Sequence, residues 1–162
     1  MIVLGVDPGS QRTGYGAVET DGRHHRMIEM GALVPGPRLA LPERLRHIHE
    51  GIRLLIERLH PDALAVEDVF HSTNTRTALV LGHVRGVVLL AGAEAGLPVH
   101  EYPPAAVKQQ ITGFGRAEKN QVAFMVTRML ALPGDVASGD ATDALAVALC
   151  LACRHPTPGV PS

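Results

Sequence analysis

With 162 residues and 46% apolar side chains, the chain has the size and apolar content of one compact domain with a single core. Its 17 Gly and 12 Pro are interspersed with charges and hydrophobic runs, which excludes a fibrous or low-complexity protein. The formal net charge of -1, from 15 Lys and Arg against 16 Asp and Glu, lacks the basic balance of many nucleic-acid binders, so any such face must be local.

The opening run Ile2-Val3-Leu4, closing on Asp7, reads as a strand and not a signal peptide, because no basic region precedes it. Pro8-Gly9-Ser10 breaks it. A second strand fits residues 14–20, and Asp21-Gly22 turns it into an antiparallel third over 26–34. Pro42 opens a helix in which Leu45, Ile48, Ile52, Leu55, Ile56 and Leu59 recur at helical spacing, and Pro61 ends it. Residues 63–67 form a short buried strand, reached by a helical crossover and so parallel to a neighbour.

A polar loop over 71–74 leads to a long helix over 75–95 and a fifth strand over 97–102. Helices over 119–130 and 140–154 complete a domain of residues 1–154, and 155–162 form a frayed tail. The fold class is α/β, a five-stranded mixed sheet with helical cover. No stretch is expected to span a membrane, since the most apolar run, 78–96, carries His83, Arg85 and Glu94. The protein is expected to be cytoplasmic. Cys150 and Cys153, late in the last helix and without a second pair, read as buried structural thiols.

Four acids stand at element ends. Asp7 closes the first strand and Glu67 the fourth, and ligand crevices of α/β sheets lie beyond the C-terminal ends of parallel strands. If these strands are neighbours, about 4.8 Å apart, their carboxylates can share one ion. Asp140 and Asp143 occupy one face of the first turn of the last helix. Taken singly, Asp7 also suits a turn and Asp140 an N-cap, whereas Glu67, after Ala65 and Val66, is a costly carboxylate to bury unpaired. Converging acids without matching cations select a hard divalent ion, Mg²⁺ or Mn²⁺, and two such ions roughly 3.5–4 Å apart promote in-line phosphodiester hydrolysis. Asp68 is a competing ligand, although adjacent strand residues face opposite ways. Between residues 104 and 130, Lys108, Arg116, Lys119 and Arg128 face only Glu118, a modest basic patch.

Several motifs follow one another in order: Asp7-Pro8-Gly9-Ser10, Thr13-Gly14-Tyr15-Gly16, Glu67-x-x-Phe70, Gly82-x-x-Arg85-Gly86, Ala117-Glu118-Lys119-Asn120-Gln121-Val122 and Asp140-Ala141-Thr142-Asp143-Ala144-Leu145-Ala146. Over about residues 1–154 the chain resembles the crossover junction endodeoxyribonuclease RuvC family. The resemblance implies a ribonuclease H-like fold, a homodimer, and metal-dependent symmetric nicking of two like-polarity strands of a Holliday junction, leaving 5′-phosphate and 3′-hydroxyl ends. It implies Asp7, Glu67, Asp140 and Asp143 as catalytic metal ligands, with Mg²⁺ or Mn²⁺ as cofactor and two ions per site. It further implies four-way junction DNA and the branch-migration proteins RuvA and RuvB as partners. DNA contacts are expected from Phe70, Arg76, Lys108, Arg116 and Lys119, with Lys108 and Lys119 beside the scissile phosphate and Phe70 stacking on a base. Gly82 and Gly86, which each cost about 1 kcal/mol in a helix, are expected at the dimer interface. The chain departs from the family at Gln11-Arg12, where the Arg commonly follows Ser directly.

Three other readings compete. A sugar-kinase or actin-like ATPase would use residues 7–10 as a phosphate loop, but 162 residues leave no room for the duplicated domain. A non-catalytic junction-binding module would use the acids only as caps and turns. A generic ribonuclease H would cut RNA–DNA hybrids.

Overall fold

The structure, a computed structural model, describes residues 1–68, 74–133 and 139–154. Its elements are β1 (Ile2–Asp7), β2 (Thr13–Thr20), β3 (His25–Leu33), α1 (Leu41–Leu59), β4 (Ala63–Glu67), α2 (Thr75–Glu94), β5 (Val99–Tyr102), α3 (Pro104–Thr112), α4 (Lys119–Met129) and α5 (Asp140–Arg154). The strands form one mixed sheet in the order β3-β2-β1-β4-β5. β1, β2 and β3 pair antiparallel, and β4 and β5 run parallel to β1. The expected class, strand count and parallel pairing of β1 with β4 are all present. The expected tail, residues 155–162, lies outside the described residues.

The sheet separates two apolar layers, as the period-2 alternation of a strand requires. Leu4, Val6, Leu64 and Val66 pack against Ile48, Ile52, Leu55 and Ile56 of α1 and Val84, Val88 and Ala91 of α2. Val3, Ala65 and Tyr102 point the other way, into a layer built by α3, α4 and a run of buried residues of α5. Leu145, Leu149 and Leu151 of that run are shut off from solvent, each a contribution of about 1.5–3 kcal/mol.

α5 lies directly on strand backbone. A Cβ on Gly5 would stand 2.2 Å from the carbonyl oxygen of Ala144, and one on Gly14 2.0 Å from that of Asp140. Only glycine permits this approach.

Three expectations need correction. The sequence reading placed no element between 102 and 119, yet α3 occupies 104–112; its adjacent prolines resemble a loop, but Pro104 sits at the start of the helix, where a missing N–H costs nothing. The fifth strand starts at Val99 and not at 97, because Gly96 takes a positive φ of 68° as the chain leaves α2. Finally, α2 is long and apolar enough, by length and composition, to cross a membrane. Arg85 in its middle is engaged by Asp68 and Glu101, which fixes the helix to this sheet. Of the two thiols, Cys150 is buried as expected, whereas Cys153 is only half-buried, with Sγ 3.6 Å from Nε2 of His25. Burial pushes both thiols up, Cys150 to about 11, so neither is a reactive thiolate.

Candidate active site

The register of the sheet brings the first two acids together. Val6 pairs with Val66 in the parallel ladder, so the next residues, Asp7 and Glu67, end adjacent strands side by side on the face covered by α5. The turn after Asp7 is closed by Thr13, whose hydroxyl donates to the carbonyl of Gly9 at 3.2 Å. Across the antiparallel ladder Asp7 pairs with Gly14, the glycine on which the first residue of α5 rests. That contact delivers Asp140 and Asp143 to the ends of β1 and β4. Two acids in the first turn also complement the positive end of the helix dipole.

The resulting cleft, about 310 Å³, is lined by Asp7, Pro8, Glu67, Pro104, Val107, Lys108, Lys119, Val122, Asp143 and Ala146. Lys108 comes from α3. Lys119 comes from the first turn of α4, where Glu118 forms a capping box with Gln121 and its backbone N–H donates to Oε1 of Gln121 at 2.8 Å. The Lys119 Nζ donates to Oδ2 of Asp143 at 3.0 Å. Asp140 lies at the rim, its Oδ2 accepting from Nε of Arg12 at 3.0 Å. A more apolar cleft of about 430 Å³, lined by Phe114, Phe124 and Met125 among others, holds no ionisable side chain.

The charges in the acidic cleft are frustrated. Burial raises the Asp7 carboxyl well above the ordinary carboxylate range, and Glu67, Asp143 and Asp140 raise it further. Glu67 is raised too, first by burial and then by Asp143, against the opposing pull of Lys119 and Lys108. The two carboxyls share a hydrogen bond, which requires one proton between them. Asp143 in turn raises Lys119, holding it charged.

This donor set fits a hard divalent cation: four carboxyls from three elements, two of them destabilised as anions by burial and mutual repulsion. Among the described residues no three acidic, histidine or cysteine side chains are closed around a single point. The donors are gathered, and a shared proton, Lys119 and Arg12 stand where an ion's charge would act.

The other expected contacts are more dispersed. Arg116 is exposed in the connection between α3 and α4. Arg76 lies in the first turn of α2, beside a separate cleft with Ser10, Gln11, Arg44, Thr77 and Val80. Phe70 lies outside the described residues. Gly82 and Gly86 are exposed on α2, with open space where a Cβ would stand. Asp68 is no ligand, since it faces the opposite side of the sheet and pairs with Arg85. The sequence reading did not foresee the Arg12–Asp140 pair or Arg44, whose guanidinium donates to the carbonyl of Ser10 and braces the loop after Asp7.

Comparison with known proteins is unambiguous about kinship. The family model described as crossover junction endodeoxyribonuclease RuvC matches residues 3–151. Crossover junction endodeoxyribonuclease RuvC of Desulforamulus reducens is 48% identical over 150 residues, covering 93% of this chain and 92% of the relative. Its counterpart in Chloroflexus aurantiacus is 48% identical over 157 residues, covering 97% and 96%. Among solved structures, T. thermophilus RuvC in complex with Holliday junction substrate superposes with a TM-score of 0.90 at 36% identity, covering 96% of this chain and 95% of that one. The yeast mitochondrial Holliday junction resolvase Ydc2 shares the fold at 11% identity, with a TM-score of 0.66. The sheet order, the ribonuclease H-like architecture and the near full-length match agree, and the chain belongs to the crossover junction endodeoxyribonuclease RuvC family.

Proposed function

We propose that this chain is a structure-selective endonuclease that resolves Holliday junctions in DNA recombination and repair. The observation that carries this reading is the cleft in which Asp7, Glu67 and Asp143 meet Lys108 and Lys119, in a chain of this family. Residues 1–154 act as a single nuclease domain. Asp7, Glu67, Asp140 and Asp143 would hold Mg²⁺ or Mn²⁺, two ions per site. Ions so held supply an activated water and charge stabilisation for in-line hydrolysis.

The chain's own residues do the rest. Asp7 and Glu67 would hold the ion as carboxylates, and Asp143, paired with the Lys119 ammonium in the metal-free chain, would offer it a further oxygen. Lys108 and Lys119 line the cleft, where they would offset the growing charge of the scissile phosphate. Arg116 and Arg76 hold the flanking backbone, and Phe70 stacks on a base at the crossover. Cleavage leaves 5′-phosphate and 3′-hydroxyl ends.

Two copies act together on two like-polarity strands. α2 supports this, since Leu79, Gly82, His83, Gly86 and Leu90 fall on one exposed helical stripe. Leu79 is 61% and Leu90 50% exposed, and the bare glycines admit a second helix closely. The protein works in the cytoplasm, with RuvA and RuvB supplying the junction.

The test is cleavage of a synthetic four-way junction beside a linear duplex and an RNA–DNA hybrid, with Mg²⁺ or EDTA. Metal-dependent paired nicking of the junction alone is expected. Preference for the hybrid, or cutting undiminished by Asp7→Asn, refutes the assignment.

A further inference from the structure

The back of the sheet, opposite the acidic cleft, carries a second ionic cluster. Arg85, on the sheet-facing side of α2, donates through Nη2 to Glu101 of β5 and stands 3.4 Å from Oδ1 of Asp68, the residue after β4. Asp68 is also held through its backbone, its N–H donating to the carbonyl of Tyr102 at 2.8 Å. Among the described residues the Nε of Arg85 is buried without a partner. A buried donor left unpaired is costly, so the side chain is kept in place by its two carboxylates and not by saturation of its own hydrogen bonds.

The position of this cluster matters because of the pleat. Val66 pairs with Glu101 and Glu67 with Tyr102, so Val66, Asp68 and Glu101 face α2 while Glu67 and Tyr102 face α5. A rotation of the strand end that moved Asp68 would swing Glu67 the opposite way. β4 ends at Glu67, so the contacts of Asp68 act at the very end of the strand.

We propose that Arg85 is a positioning residue for Glu67: by bridging Asp68 and Glu101 behind the sheet, it locks the ends of β4 and β5 in the pleat that sets the Glu67 carboxyl beside Asp7. This rests on the reading of Glu67 as an ion ligand. Arg85 does not line the acidic cleft, so its action on the site passes through Asp68 and Glu101. Because it is fixed in α2, which also presents Gly82 and Gly86, the clamp ties the posture of Glu67 to the helix that meets a second copy.

The experiment starts with wild type and Asp7→Asn on a four-way junction. Failure of wild type to cut, or survival of cutting in Asp7→Asn, defeats the active-site reading itself and leaves the clamp without an object. With those controls in hand, Arg85→Met is made with Asp68→Asn and Glu101→Gln, so that no carboxylate is stranded, and Arg85→Lys is made alone to keep the charge without the fork. Each is measured three ways: junction affinity in EDTA, the single-turnover cleavage rate, and the Mn²⁺ concentration giving half of the full thermal shift. The triple variant is expected to bind the junction within about twofold of wild type, to cut about tenfold or more slowly, and to need about tenfold more Mn²⁺, as loss of a support behind a metal ligand does. Arg85→Lys should fall between the two, and if the triple variant does not fold it decides alone. A wild-type Mn²⁺ titration and cleavage rate in a folded variant would overturn the proposal. So would a loss of junction affinity with the Mn²⁺ titration unchanged, which would make Arg85 a DNA contact.

Discussion

Lys119 and Asp143 form an ion pair, Nζ to Oδ2 at 3.0 Å, inside a cleft whose other two acids share a proton. In the proposed mechanism these same groups would face an ion and a phosphate. Before either arrives, the protein neutralises its acids with its own cations, and the measurable properties of the site follow from that exchange.

Asp7→Asn should abolish junction cutting while leaving junction binding, because an amide keeps the hydrogen bond to Glu67 but cannot carry the anionic charge. The same change removes a carboxyl that burial and three acidic neighbours destabilise as an anion. The metal-free variant should therefore melt higher than wild type at pH 8, by on the order of 5 °C. Calorimetry in EDTA checks it, and a lower melting temperature would contradict the charge assignment.

The pH dependence of the metal-free fold should run against the usual behaviour of carboxylates. Asp7 has its folded pKa raised from 3.8 to about 8, so the folded chain retains a proton that the unfolded chain releases. Its stabilising contribution is complete below the ordinary carboxylate range and is lost as pH rises through the window between those two values. Melts in EDTA between pH 5 and 8 should show the decline. Saturating Mg²⁺ should flatten it, since ion and proton compete for the same oxygens.

Arg12→Ala tests whether the rim cation competes with the ion. Its pair with Asp140 is 60% and 40% exposed, so its loss should cost less than about 1 kcal/mol of stability. The Mn²⁺ concentration needed for half of the thermal shift should fall. An increase would instead make Arg12 a supporting contact for Asp140.

Lys119→Met should slow single-turnover cleavage by roughly 10²-fold, the scale of removing one preorganised donor from a developing charge. Lys119 is 72% exposed but its partner Asp143 only 16%, so loss of the cation should also lower the melting temperature of the metal-free chain. Stopped-flow quench under saturating enzyme separates this from a binding defect.

Gly82→Ala and Gly82→Leu should act in opposite directions. Among the described residues no atom beyond the helix's own adjacent backbone lies within 4 Å of a Cβ at this position, so Gly82→Ala should add up to about 1 kcal/mol through helix propensity. Gly82→Leu should hold partner helices apart and shift sedimentation equilibrium toward monomer. Unchanged association in Gly82→Leu would remove α2 from the interface.

Much of this was legible in the chain because it is written in local patterns. The α1 stripe of Ile48, Ile52, Leu55 and Ile56 is buried as its spacing requires, and the acids at the ends of β1 and β4 become neighbours once the crossover makes those strands parallel. What escaped the sequence depends on contacts distant in the chain. α3 was hidden because Pro103-Pro104 signals a loop as readily as a helix start, although Val107 and Ile111 one turn apart and Gly113 at the C-cap mark the helix. The pairing of Arg12 with Asp140 spans 128 positions, and no periodicity announces it. Asp68 and Arg85 lie on the hidden side of a strand whose conspicuous residue is Glu67.

Gly5 and Gly14 have a consequence for how such a chain can drift. Because α5 rests on bare peptide planes at these points, the spacing between the strand that ends in Asp7 and the helix that begins with Asp140 is a main-chain thickness, independent of which aliphatic residues fill the surrounding layers. Leucines and valines elsewhere can be exchanged without altering that gauge, whereas a single methyl group at position 14 would wedge the helix away and widen the jaw of the enzyme.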